Sequence, residues 1–211
     1  MNLVSKTLTD AAIGVGLADD PKSLSVLKKP GCAAAIWRRQ MPVDTRRWLD
    51  QLDREKLPRG RLILRAGTVG EAVQRLCDMA QTPVGRERDW LQSDIASMAA
   101  LFADLMESEY LRLRLDAVST NACRKFHIDT LTARLVCTYR GQGTQYGVSS
   151  DGGDPTRVFQ VATGAPILIR GTLWPEGPPS GLLHRSPPIE GTGETRLVLV
   201  LDPVSGPEEM A

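Results

Sequence analysis

Only two histidines occur among the 211 residues, and each sits in a patterned stretch. His127 lies in FHID, with Asp129 two positions further on. His184 lies in GLLHRSPP, 57 residues later. If FHID is extended, alternation puts the side chains of His127 and Asp129 on one face. A histidine from a distant strand then completes a set of two imidazoles and one carboxylate. Such a set leaves coordination positions open and suits Fe(II) that must also bind a co-substrate and oxygen. Arg196 opens the apolar run RLVLVLD, twelve residues beyond His184. Its guanidinium fork matches the two oxygens of a carboxylate. Three metal ligands and an inward arginine are what a bound 2-oxo acid needs. The competing reading is a hydrogen-bonded structural pair of histidines with a solvated strand-end arginine. An HxD alone is a weak motif, so the weight rests on the joint occurrence.

Further candidates lie close by. Thr138 and Tyr139 follow the HxD closely and are read as co-substrate contacts, Tyr139 through its hydroxyl, although core packing explains Tyr139 equally well. Arg134 has the opposite parity from Asp129 and, without a bulge, points away from the ligands. Trp174 either lines a pocket mouth or packs beneath a Pro-rich loop. GQGTQYG is read as a lid with glycine hinges or as a long turn. No catalytic residue is assigned beyond the metal ligands. No Ser-His-Asp order, phosphate-binding loop or dinucleotide fingerprint is present, and GVGLADD lacks the preceding strand that a nucleotide site requires.

These residues need elements to position them. In RERDWLQSDIASMAALFADLMESEY the residues Leu91, Ile95, Met98, Ala99, Phe102, Leu105 and Met106 form one helical stripe, which needs a sheet or helix to cover it. TVGEAVQRLCDMA opens with a capping-box pattern, Thr68 and Glu71, and Asp44 is placed to cap a helix over PVDTRRWLDQLDREK. GCAAAIWRR and RLILRA read as short strands. After Tyr110 the period changes: Leu111, Leu113, Leu115 and Ala117 alternate with Arg112, Arg114 and Asp116, the mark of a half-buried strand. RLVCTY, RVFQVA, APILIRG, GLLH and TRLVLVLD continue the series, separated by Gly- and Pro-rich turns. The expected organisation is one domain: a weakly structured segment 1–25, a helix-rich support 26–110 and a β core 111–204.

The bulk composition is that of an ordinary globular protein, 42% hydrophobic and 24% charged with net charge +1. No apolar run approaches the roughly 20 residues that span a bilayer, and the N-terminus lacks the order of a secretory signal. A cytoplasmic protein with no membrane partner is expected. Four cysteines, none in a CxxC pair, read as reduced thiols. Residues 28–65 hold eleven Lys or Arg against four acids. That is read as a solvated face, too weak a signal to argue for nucleic acid.

The motifs carry a resemblance. FHID, CTYRGQGTQ, ATGAPILIRG and above all LLHRSPPIEGTGETRLVLVLD resemble the Fe(II)/2-oxoglutarate-dependent oxygenase superfamily over residues 110 to 202. PGCAAAIWRRQMPVDTRRWLDQL is similar to the strand-then-helix entry of many of its members. The resemblance implies an α+β fold: a double-stranded β-helix (a jelly-roll or cupin-like barrel) with supporting N-terminal helices, the helix 88–109 among them. It implies iron on His127, Asp129 and His184, and the distal carboxylate of 2-oxoglutarate on Arg196. The pattern also resembles an uncharacterised bacterial family loosely associated with metal-homeostasis gene neighbourhoods. The function expected is therefore an oxygenase, most simply a hydroxylase. Two alternatives are a non-catalytic zinc or iron protein of metal homeostasis and a cupin-like small-molecule binding module.

Overall fold

A computed structural model describes residues 11–149, 153–175 and 177–206. Strands β1 (Gly14–Ala18), β2 (Cys32–Trp37), β3 (Gly60–Arg65), β4 (Tyr110–Val118), β5 (Ala133–Arg140), β8 (Pro166–Arg170) and β10 (Arg196–Val204) form one seven-stranded sheet in the order β1-β2-β8-β5-β10-β4-β3. A smaller sheet has the order β7-β6-β9, from β6 (Gln145–Val148), β7 (Phe159–Gln160) and β9 (Leu182–Arg185). Among the described strands, every pairing but the parallel one of β1 and β2 is antiparallel. Helices α1 (Val43–Gln51), α2 (Val69–Met79) and α3 (Arg86–Met106) complete the α+β architecture, a double-stranded β-helix with helical supports.

Alternation decides which side chain meets which layer. On β4, β5 and β10 the residues Leu111, Leu113, Leu115, Leu135, Cys137, Leu197, Leu199 and Leu201 face the helices and join one core. The helical stripe of α3 supplies the other half, with Leu91, Ile95 and Phe102 fully buried. Burying each such side chain is worth about 1.5–3 kcal/mol. The other face of the sheet, with Val136, Ile167, Ile169 and Val198, packs towards Leu182 of the small sheet. Arg112, Arg114 and Asp116 of β4 share that second face, and Arg114 and Asp116 line a cavity there.

Several local expectations are corrected. Residues 14–18, inside the segment expected to be weakly structured, form β1, because their backbone pairs with β2. Asp44 stands in the first turn of α1 behind Pro42 and does not cap it. The capping box at Thr68 does not form: its hydroxyl donates to Arg65 O at 2.9 Å, and Glu71 pairs instead with Arg75 one turn on. GQGTQYG is not simply a long turn, since Gln145 and Tyr146 pair with both neighbours in the small sheet and Gly147 with β9. Basic residues of the 28–65 stretch are met by acids of other elements, among them Lys28 by Glu107, Arg38 by Asp19 and Arg61 by Asp116. Among the described residues, no helix is long and apolar enough to cross a membrane.

Candidate metal centre

His127 and His184 stand directly opposite each other. His127 N–H donates to His184 O at 3.1 Å and His184 N–H to His127 O at 3.0 Å, an isolated antiparallel bridge. Opposed residues of such a pair put their side chains on the same side, and the two rings lie 4.5 Å apart. FHID is therefore not a regular strand. His127 makes this one bridge, and the chain then turns through residues 128–132 before β5 begins. Asp129 reaches the imidazoles from that turn, with Oδ2 3.0 Å from His184 Nε2 and Oδ1 3.6 Å from His127 Nε2. One ligand atom from each of the three residues lies within 4.8 Å of the others.

The hydrogen bonds leave the inner atoms free. His127 Nδ1 lies 2.8 Å from Lys125 O, which fixes its proton there and leaves the Nε2 lone pair for a metal. Asp129 Oδ2 is buried and has no hydrogen-bond partner, despite its closeness to His184. A buried carboxylate oxygen left in that state is costly. A cation between the three residues would satisfy it, and nitrogen, nitrogen and oxygen donors with positions open fit Fe(II). Burial works to raise the Asp129 carboxyl's pKa, but His184, Arg134 and His127 outweigh it and hold it at about 2. Burial lowers the pKa of His184, against the pull of Asp129, and so favours the neutral, ligating imidazole.

Arg134 corrects the parity argument. Its Nη1 donates to Asp129 Oδ1 at 2.5 Å, and its Nε and Nη2 donate to both oxygens of Asp202 at 2.6 and 2.9 Å. The parity rule failed because Asp129 lies in a turn, where alternation does not carry across to β5. Arg134 thus occupies Oδ1 and leaves Oδ2 to face the histidines, a positioning role that sequence spacing missed.

The Asp129 turn is stitched to the segment after β8. Thr172 N–H donates to Asp129 O, Leu173 N–H to Leu131 O and Gly171 N–H to Thr132 O, at 2.9, 3.1 and 2.9 Å. A Cβ on Gly171 would collide with Leu131 O and lie 2.8 Å from Asp129 O. Gly171→Ala must push this backbone away, and an expected loss of metal affinity of about 10-fold or more can be read by competition with a chelator.

Arg196 is 2% exposed and lines the same cavity as His127 and His184. Its Nε donates to Gln142 O at 2.6 Å and its Nη2 to Thr138 Oγ1 at 3.2 Å. Burial lowers its pKa to about 10, with Glu194 partly opposing. Thr138 therefore supports Arg196 on the cavity face. Tyr139 does not belong there. As the next residue along β5 it faces the helices, fully buried, with its hydroxyl donating to Asp94 Oδ2 at 2.7 Å. Tyr139→Phe is expected to cost about 1–3 kcal/mol of stability and to leave metal affinity unchanged, measured by denaturation and metal titration. Trp174 packs under the guanidinium of Arg170, 4.4 Å from its ring, and not at the cavity.

The sequence profile of DUF1826, a protein family of unknown function, matches residues 18–202. The chain belongs to the DUF1826 family. No curated protein matches the sequence. Among solved structures, dioxygenase for auxin oxidation 1 from Arabidopsis thaliana, described as a 2-oxoglutarate binary complex, is similar with a TM-score of 0.52. Its identity is 12%, over 92% of this chain and 93% of that one. The dioxygenase for auxin oxidation of rice gives the same TM-score and identity over 93% of this chain and 84% of that one. At such identity the likeness is one of fold, and it agrees with the double-stranded β-helix of this DUF1826 member.

Proposed function

We propose that this DUF1826 protein is a non-haem Fe(II)- and 2-oxoglutarate-dependent oxygenase, acting as a hydroxylase. The observation that carries the reading is the convergence of His127, Asp129 and His184 around an unpartnered carboxylate oxygen, with both histidines lining the cavity that the buried Arg196 also lines. The similarity of fold to dioxygenases supports it. Iron(II) held by the three side chains would supply dioxygen activation coupled to oxidative decarboxylation of the 2-oxo acid.

The chain's own residues do the rest. Arg134 orients Asp129 so that one oxygen is presented. Lys125 O sets the tautomer of His127. Arg196, braced by Thr138 and Gln142 O, offers its guanidinium to the distal carboxylate of 2-oxoglutarate. Val136, Val198 and Val200 line the cavity with apolar surface, which limits water around the reacting groups. Four free cysteines suit a reducing compartment, and we assign the protein to the cytoplasm.

One observation favours a second reading. The cavity holds only about 100 Å³ of solvent-sized space, below the roughly 300–1,000 Å³ usual for ligand sites. A non-catalytic zinc or iron protein would need no more. Conversion of 2-oxoglutarate to succinate by the iron-loaded protein separates the two. The oxygenase reading expects turnover, with at least tenfold more 2-oxoglutarate needed after Arg196→Gln. Tight zinc binding with no consumption of 2-oxoglutarate selects the alternative.

A further inference from the structure

Arg114 is the cavity residue that the proposed chemistry leaves without a task. It lies on β4 opposite Val200, on the same sheet face as Arg196, which lies opposite Val118. Four positions along both strands separate the two arginines, about 13 Å of backbone. The guanidinium of Arg114 leans towards Asp202, beyond Val200 and away from Arg196, with Nη2 3.8 Å from Asp202 Oδ2. That carboxylate is already taken, because Arg134 donates to both of its oxygens. Arg114 Nε is buried with no hydrogen-bond partner. The side chain as a whole is 26% exposed, but its Nε–H is buried, and a buried donor left unpaired is costly.

The charge around the cavity has the same sense. Arg114, Arg134, Arg185 and Arg196 line it; Arg134 is held by Asp129 and Asp202, and Asp116, which lines the cavity with the arginines, is drawn to Arg61 on β3. Burial and the neighbouring Arg134 both disfavour the charged form of Arg114, and Asp202 and Asp116 only partly offset them. A divalent metal adds positive charge, and a 2-oxo diacid at Arg196 leaves the Nε–H of Arg114 unmet.

We propose that Arg114 is a second anion subsite, which holds a carboxylate or phosphate group of the substrate beside the metal while Arg196 holds the co-substrate. This rests on the oxygenase reading for the word substrate, but the anion site itself does not. The guanidinium fork of Arg114 suits either oxyanion, and its free Nε–H is one of the donors offered. The substrate class is then a small acid, or a larger molecule that inserts an acidic end.

The test follows the arginine Nε–H signals of the zinc-loaded protein by NMR, with and without saturating 2-oxoglutarate, as acetate or inorganic phosphate is added. Arg114 and Arg196 are assigned from the signals lost in Arg114→Lys and Arg196→Gln. The expected result is a saturable shift of the Arg114 signal by one or both anions, while 2-oxoglutarate moves the Arg196 signal. The tighter of the two anions identifies the group as carboxylate or phosphoryl. Calorimetry should show the same anion bound at least tenfold more weakly by Arg114→Gln, with Arg114→Lys between the two. An unmoved Arg114 signal overturns the proposal. So does a shift shared equally by all exposed arginines, or anion binding that vanishes with the metal and leaves Arg114 unmoved. If 2-oxoglutarate fails to move Arg196, the oxygenase reading falls, and the Arg114 titration still gives its own answer.

Discussion

Arg134→Met is expected to destabilise the fold by about 3–5 kcal/mol, the cost of stripping a buried ion pair of one partner. Asp202 is 2% exposed and receives two hydrogen bonds from this one guanidinium. Asp129 receives a third. Without Arg134 the buried Asp202 keeps only the fork of Arg114, at 3.8 Å, and Asp129 only the two imidazoles. Chemical denaturation reads the loss. The double variant Arg134→Met with Asp202→Leu should recover much of it, since replacing both partners by apolar groups removes the stranded charge. A single-variant loss below about 1 kcal/mol, the range of exposed pairs, would mean that the pair is hydrated and not a structural lock.

The second large effect concerns the metal. Asp129→Ala or His184→Ala is expected to weaken binding of a divalent metal by more than about 100-fold, beyond the 10–100-fold typical of losing an outer hydrogen-bond partner. Titration against a competing chelator measures it. Asp129→Ala also removes a buried carboxylate next to Arg134, so its stability changes along with its affinity. His184→Ala leaves that pair intact and gives the cleaner reading. The signature of a metal centre is a large loss of affinity with a modest change in the stability of the metal-free protein.

Much of the scaffold was legible in the sequence, because its signals are periodic. The α3 stripe and the alternation on β4 each follow from one face being buried, and the structure buries those faces, while the apolar run of β10 is buried on both of its faces. The types of the three ligands could be read because the chain has so few histidines. Their setting could not. Asp129 is presented by a turn held through backbone hydrogen bonds to residues 171–173, and no spacing rule encodes such a contact. For the same reason strand parity does not apply to Arg134, and the close approach at Gly171 leaves no mark in the local sequence. Thr138 and Tyr139 show the converse error. Two consecutive strand residues face opposite sides, so only one of them could join the cavity, and alternation already contained that answer. The β6 strand hid in a glycine-rich stretch whose pairing is supplied by β7 and β9 and not by local propensity.

The most direct test of the central claim is the visible absorption of the anaerobic, Fe(II)-loaded protein as 2-oxoglutarate is added, with His127→Ala alongside. The account predicts a weak charge-transfer band in the wild type only, from iron chelated by the 2-oxo acid at the His127, Asp129 and His184 centre. Stoichiometric iron with no band at saturating 2-oxoglutarate would contradict it.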